Sequence, residues 1–342
     1  MYSDDDLNAA VAAGTLSPEA AAGLRDFVAR QRATPAVDEE HFRLLTGFND
    51  IFVAIAATLI LVAMGWLGGG HGVGGIAVAM TSWALAEYFT RHRRMALPSI
   101  ILLIGFIAGS SIAGLALMGP TGRFLENADL LSDHKGVLVA LPAACGVIGA
   151  GLHWWRFKVP ITVAAGALAL VGLILSLSLA LKPSLLLEAR PVLLVCGLAV
   201  FGLAMWWDMS DRARVTRRAD VAFWLHLSAA PLIVHPIFGM LGLLGRGNTD
   251  TGRAGAAVAI YLVLALVALI IDRRALLVSA LIYVLYAIST LLRAAGSLSA
   301  SFALTALIIG SALLLLSAFW HRARRTVVEP LPASVKARLP VI

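Results

Sequence analysis

Runs of about 20 apolar residues recur from end to end of this chain, and nothing else in it limits the fold as strongly. "IFVAIAATLILVAMGWL" and "SIILLIGFIAGSSIAGLAL" are two of them. A run of that length crosses a hydrocarbon core of about 30 Å as a helix. In lipid every backbone polar group must be satisfied within the protein, so only helices and closed barrels can span. A barrel needs alternating polar and apolar residues, and these runs do not alternate. The expected class is therefore all-α, a polytopic transmembrane helical bundle. Composition agrees: 60% of the residues are hydrophobic and 14% are charged, where a soluble domain has roughly half and a quarter. The mean hydropathy is +0.87.

The runs predict about ten spans, at 48–67, 73–90, 96–118, 136–155, 159–181, 190–208, 219–243, 253–271, 275–294 and 299–320. After the second, fourth, sixth and eighth come "RHRR", "RFK", "DMSDRARVTRR" and "DRR", and the tenth runs into "HRARR". The other loops are less basic. Basic loops stay in the cytoplasm, which predicts a multi-pass membrane protein with both termini cytoplasmic. Trp154, Trp155, Trp206, Trp207 and Trp320 stand beside these arginines, where an interfacial aromatic belt is expected. The net charge of +7 follows from these corners, so nucleic acid is not the expected partner; the lipid bilayer is. The corners "RHRRMALPSIILL", "RFKVPITVAAGAL" and "DRRALLVSALIYVL" resemble one another, which points to repeated two-helix units.

Residues 1–46 differ from the rest. "SDDDLNAAVAAG" ends at Gly14, a natural helix stop, and "SPEAAAGLRDFVARQRA" begins with Ser17 as N-cap and Pro18 in the first turn. A soluble helical hairpin and linker are expected at 1–46, a transmembrane domain at 47–325 and a cytoplasmic tail at 326–342. The acidic start has no apolar core, so no cleavable signal peptide is expected. Cys145 and Cys196 fall inside spans without a ligand pattern, so neither a disulfide nor a metal site is expected.

The hairpin, with Gly14, Leu16, Ser17 and Glu19 in a "G-x-[IL]-[ST]-x-E" pattern ahead of many spans, resembles a group of bacterial predicted membrane proteins of unknown function. That resemblance covers about 30 residues and brings no catalytic residues with it.

Ionisable groups inside spans are candidates for function. Asp50, Glu87, Asp208 and Asp272 lie near the basic corners as a cytoplasmic polar cluster; corner-locking ion pairs or a vestibule for protons or cations would both place acids there. Glu87 stands four residues before Arg91, a helical i,i+4 pair. Span seven, "RRADVAFWLHLSAAPLIVHP", holds His226 and His235 about 10 and 24 Å from its start. Nine residues apart, the two rings leave opposite sides of an ideal helix, so each needs partners from other spans. Pro231 and Pro236 free the carbonyls of Leu227 and Leu232 and act as hinges. Asp220, Trp224 and Ser228 complete the candidate cavity or proton relay, Ser228 by bonding back to the backbone. Gly105 and Gly109 in "GFIAG" allow close helix packing. "GWLGGGHGVGG" reads as a tight outer hairpin with His71 exposed. No nucleophile elbow, HExxH motif, paired carboxylates or dinucleotide fingerprint appears, so no catalytic residue and no cofactor are assigned. Three readings stay open. The first is binding or transport of a small solute or protons near span seven. The second is a membrane sensor or scaffold whose hairpin binds a protein partner. The third is an intramembrane enzyme or haem or metal protein.

Overall fold

The structure is a computed structural model that describes residues 7, 10–24, 48–69, 72–116, 135–182, 189–214, 216–242, 251–294 and 301–340. The chain divides into two units, Met1–His41 and Phe42–Ile342. In the first, Gly14 has φ +70°, and the amides of Thr15 and Leu16 both return to the carbonyl of Ala10, which closes a helix end in the way glycine permits. Ser17 Oγ accepts from the amide of Ala20 at 3.1 Å, the cap expected from the sequence.

The regular elements of the second unit are all helices among its described residues. In order they are α1 (Phe48–Leu67), α2 (Gly72–Ala86), α3 (Ala96–Ala116), α4 (Lys135–Phe157), α5 (Ile161–Leu181), α6 (Ala189–Ser210), α7 (Arg217–Met240), α8 (Thr251–Ile271), α9 (Ala275–Ala294), α10 (Ser301–Ala318), α11 (Trp320–Val328) and α12 (Ala333–Lys336). A π-helical turn, Glu87–His92, continues α2. Among the described residues each predicted span overlaps one of these helices. Seven helices are long and apolar enough to cross a membrane, or up to eight if the bent pair formed by α10 and α11 counts as one span. Ten is therefore more than length and composition deliver among the described residues. α2 is regular for only 15 residues before its π turn. The tenth run breaks after Ala318, and α11 leaves at 74°. α4 also falls outside the count. Residues 117–134, 183–188 and 243–250, and His71 with them, lie outside the described residues.

The helices pair around the basic corners. α2 packs on α3, α4 on α5, α6 on α7 and α8 on α9. Four non-glycine residues among those described have left-handed backbone, and each stands at one of these corners: Arg94 (φ 53°), Lys158 (φ 53°), Arg214 (φ 54°) and Asp272 (φ 59°). At two of these corners the amides just before or after the left-handed residue reach back five or six residues along the chain. Arg93 bonds to Tyr88, Met95 to Phe89 and Arg273 to Ala268. The shared conformation gives the repeated unit a geometric definition, a helical hairpin turned at a charged corner, in four copies. The fifth basic cluster, "HRARR", forms α11 instead.

Small residues set the packing inside the first hairpin. A Cβ on Gly105 would lie 2.6 Å from Leu61 and Ser82, and one on Gly109 would lie 2.7 Å from the backbone of Ala79. Both glycines of "GFIAG" thus serve close helix approach, as expected. Gly197 does the same between α6 and α7, against Leu232.

Candidate functional site

α7 is the most enclosed of the apolar helices. Of its most apolar stretch 56% is buried, against 17–29% for the other six. It packs on α5, α6 and α9 and runs unbroken from Arg217 to Met240 with Pro231 and Pro236 inside it. Its start is well made. Thr216 accepts from the amide of Arg218, and Asp211 accepts from both the amide and the hydroxyl of Thr216, at 2.9 and 2.6 Å.

His226 is fully buried on the α6 side. Its Nε2 lies 2.8 Å from Asp208 Oδ2, and Phe201 meets the ring edge-on at 5.3 Å. Asp208 also receives Arg273: Nη2 donates to Oδ1 at 2.6 Å and Nε to Oδ2 at 3.3 Å. The remaining reach of Arg273 goes to the carbonyl of Ala219 at 3.2 Å. The side chains of Arg273 and His226 are 0% exposed and that of Asp208 is 1% exposed. An ionised carboxylate only accepts, so His226 Nε2 carries the hydrogen. Nδ1 has no hydrogen-bond partner among the described residues, and it is the atom that would take a proton.

The next residue along continues the network. Asp272 Oδ2 pairs with Arg214 Nη1 at 3.1 Å. Its Oδ1 accepts from Trp320 Nε1 at 2.7 Å and lies 3.6 Å from Arg324 Nε. Arg214 also donates to the carbonyls of Ile271 and Asp272. Arg324 donates to the carbonyl of Pro340, and Arg212 to those of Leu339 and Lys336. The corner after α6, the corner after α8 and the C-terminal segment are thus bonded together at the basic end of the bundle. Of the tryptophans expected in an interfacial belt, Trp155 and Trp206 are 73% and 59% exposed, whereas Trp320 is 1% exposed. The 74° turn into α11 swings that indole inward onto Asp272.

Asp208, Asp272 and Glu87 each bond different partners. Asp208 and Asp272 are drawn together through Arg273 and Arg214. Glu87 stands elsewhere, bonded to Arg91 at 3.3 Å and held by two bonds from Arg156, at 2.7 and 2.8 Å. Asp50 is buried at the start of α1. His235 is exposed on the far side of α7 and bonds Tyr283 on α9 at 2.8 Å. The two histidines therefore serve different neighbours, as the nine-residue spacing requires. Asp220 and Trp224 are half-buried on α7, and Trp224 packs against the core shared with α5 and α6. Ser228 is half-buried and makes no bond back to the α7 backbone among the described residues. Pro231 is exposed and Pro236 buried.

Two participants escaped the sequence reading. Arg273 looked like one more corner charge, and its role depends on a helix 65 residues away. His153 was passed over inside "HWW"; it is fully buried on α4, with Nδ1 3.1 Å from Thr162 Oγ1 across its hairpin. No trio of His, Cys, Asp or Glu side chains that could hold a metal occurs among the described residues. The chain matches no protein-family model, no curated protein and no solved structure.

Proposed function

We propose that the chain is a multi-pass protein of the bacterial inner membrane, with ten spans and both termini in the cytoplasm, that binds or moves a small solute or protons at α7. One observation carries this reading. Asp208 on α6, Arg273 at the corner before α9 and His226 on α7, the helix that also holds two prolines, form a wholly buried ionisable centre. Charges at membrane depth are costly and mark ion or solute paths by default. The bonded state is a closed one; in it His226 is sealed against Asp208, and a bend of α7 at Pro231 would open the pair. The deciding variants are His226→Gln and His226→Ala in proteoliposomes. Glutamine keeps an N–H for Asp208 but cannot take a proton. Loss of proton or solute flux in His226→Gln, with the melting temperature kept, is the expected result. Full flux in His226→Gln overturns the reading.

A second reading, a membrane sensor or scaffold, is favoured by the bonding of the same centre to the C-terminal segment through Asp272, Trp320 and Arg324. It makes the network a rigid support. Under it both variants conduct nothing different from the parent, and His226→Ala lowers stability by about 1.5–3 kcal/mol, the worth of a hydrogen bond to a charged group.

A further inference from the structure

The place where α10 ends and α11 turns away leaves a small cleft against α9, of about 160 Å³. Its apolar wall is formed by Leu277 and Leu281, one turn apart on α9, and by Leu313 and Leu316 on α10. Arg274 and Trp320 close its other end. Arg274 is stacked on that indole, its guanidinium carbon 4.8 Å from the ring. Its Nε and Nη2 are buried and have no hydrogen-bond partner among the described residues. These two atoms form one edge of the guanidinium, the edge that grips a phosphate or carboxylate with two parallel bonds.

The surroundings favour an anion. Arg274 immediately precedes α9, at the positive end of that helix dipole. α11 exposes His321, Arg322 and Arg325 while burying Trp320, Arg324 and Val328, the division expected of a helix lying in a membrane interface. Asp272, two residues before Arg274, is already engaged by Arg214 and Trp320. A polar end that wants a negative charge thus opens onto an apolar trough that extends along α9 into the membrane. We propose that this cleft binds an anionic phospholipid from the bilayer, its phosphate against Arg274 and one acyl chain along Leu277, Leu281, Leu313 and Leu316. A basic pocket between helices at the membrane surface is a known type of lipid headgroup site, and the unfilled edge of Arg274 makes this one specific. The site shares no residue with the α7 centre, so a failure of either proposal leaves the other standing.

The test uses the full chain, purified in a zwitterionic detergent-lipid mixture and examined by native mass spectrometry. Phosphatidylglycerol, phosphatidylcholine with the same chains, and inorganic phosphate are added in parallel. One phosphatidylglycerol retained in preference to phosphatidylcholine is expected, with no displacement by phosphate. Arg274→Gln is expected to weaken retention about tenfold or more, and Arg218→Gln, at an exposed corner outside the cleft, to leave it unchanged. Leu281→Trp fills the trough without touching the guanidinium and is expected to release the lipid too. Equal retention of the two lipids, displacement by phosphate alone, or unchanged retention in folded Arg274→Gln or Leu281→Trp overturns the proposal.

Discussion

Arg94, Lys158, Arg214 and Asp272 carry charge where the backbone would accept glycine more readily. A side chain in the left-handed region costs roughly 1–2 kcal/mol, yet none of these four corners uses glycine, although Gly69 and Gly242, at the ends of α1 and α7, have positive φ. The two ends of the bundle differ in what the turn residue must do. At the basic end it also carries a charge; at Gly69 and Gly242 it only turns. Lys158 makes this measurable, because its one described contact is with Trp154, the ammonium lying 5.3 Å from the ring. Lys158→Gly should leave stability within about 1 kcal/mol of the parent, because relief of backbone strain offsets the lost cation–π contact. Lys158→Val, with a β-branched side chain at the same φ, should cost about 1–3 kcal/mol. Unfolding in mixed micelles compares the two. A stable valine variant would show that the corner relaxes and that its conformation is not enforced.

At the scale of the element, α7 supplies the sharpest demand. His226 bonds Asp208 on α6 and His235 bonds Tyr283 on α9, so the two rings share no partner. The stability losses of His226→Ala and His235→Ala should add to within about 0.5 kcal/mol. A larger coupling energy in the double variant would mean that both rings answer to one site. The helix also shows how far the sequence can be read. Its length, its N-terminal start and the divergence of its two histidines follow from the 3.6-residue period, which is a local property. So do the close-packing glycines Gly105 and Gly109 and the Ser17 cap. The partners of the charges do not follow, because they are tertiary: Glu87 meets Arg156 across 69 residues and Asp208 meets Arg273 across 65. One-dimensional patterning marks that an acid stands near a corner and not which corner answers it. Trp320 shows the same limit. Beside arginines it read as a surface anchor, and only the break at the end of α10 turns it inward.

For the whole molecule, the proposed ten-span reading places all the basic corners on one side of the membrane. Single cysteines at 93 and 217, in a chain lacking Cys145 and Cys196, should both resist a membrane-impermeant maleimide added to intact spheroplasts and both react after lysis. Labelling of one from outside and not the other would mean an odd number of crossings between them, and the ten-span topology would fall. The ion pairs join corners in twos: Glu87 with Arg156 ties the first corner to the second, and Asp208 with Arg273 ties the third to the fourth. Each bond closes only when the later hairpin exists, and a ribosome delivers the chain in order. At about 5–20 residues per second, Asp208 emerges roughly 3–13 s before Arg273. His226 follows Asp208 by only 18 residues and arrives with the same hairpin. Of the two side chains that hold Asp208 in the folded protein, the imidazole is therefore made first, and the Asp208–His226 bond can close within one hairpin before Arg273 exists.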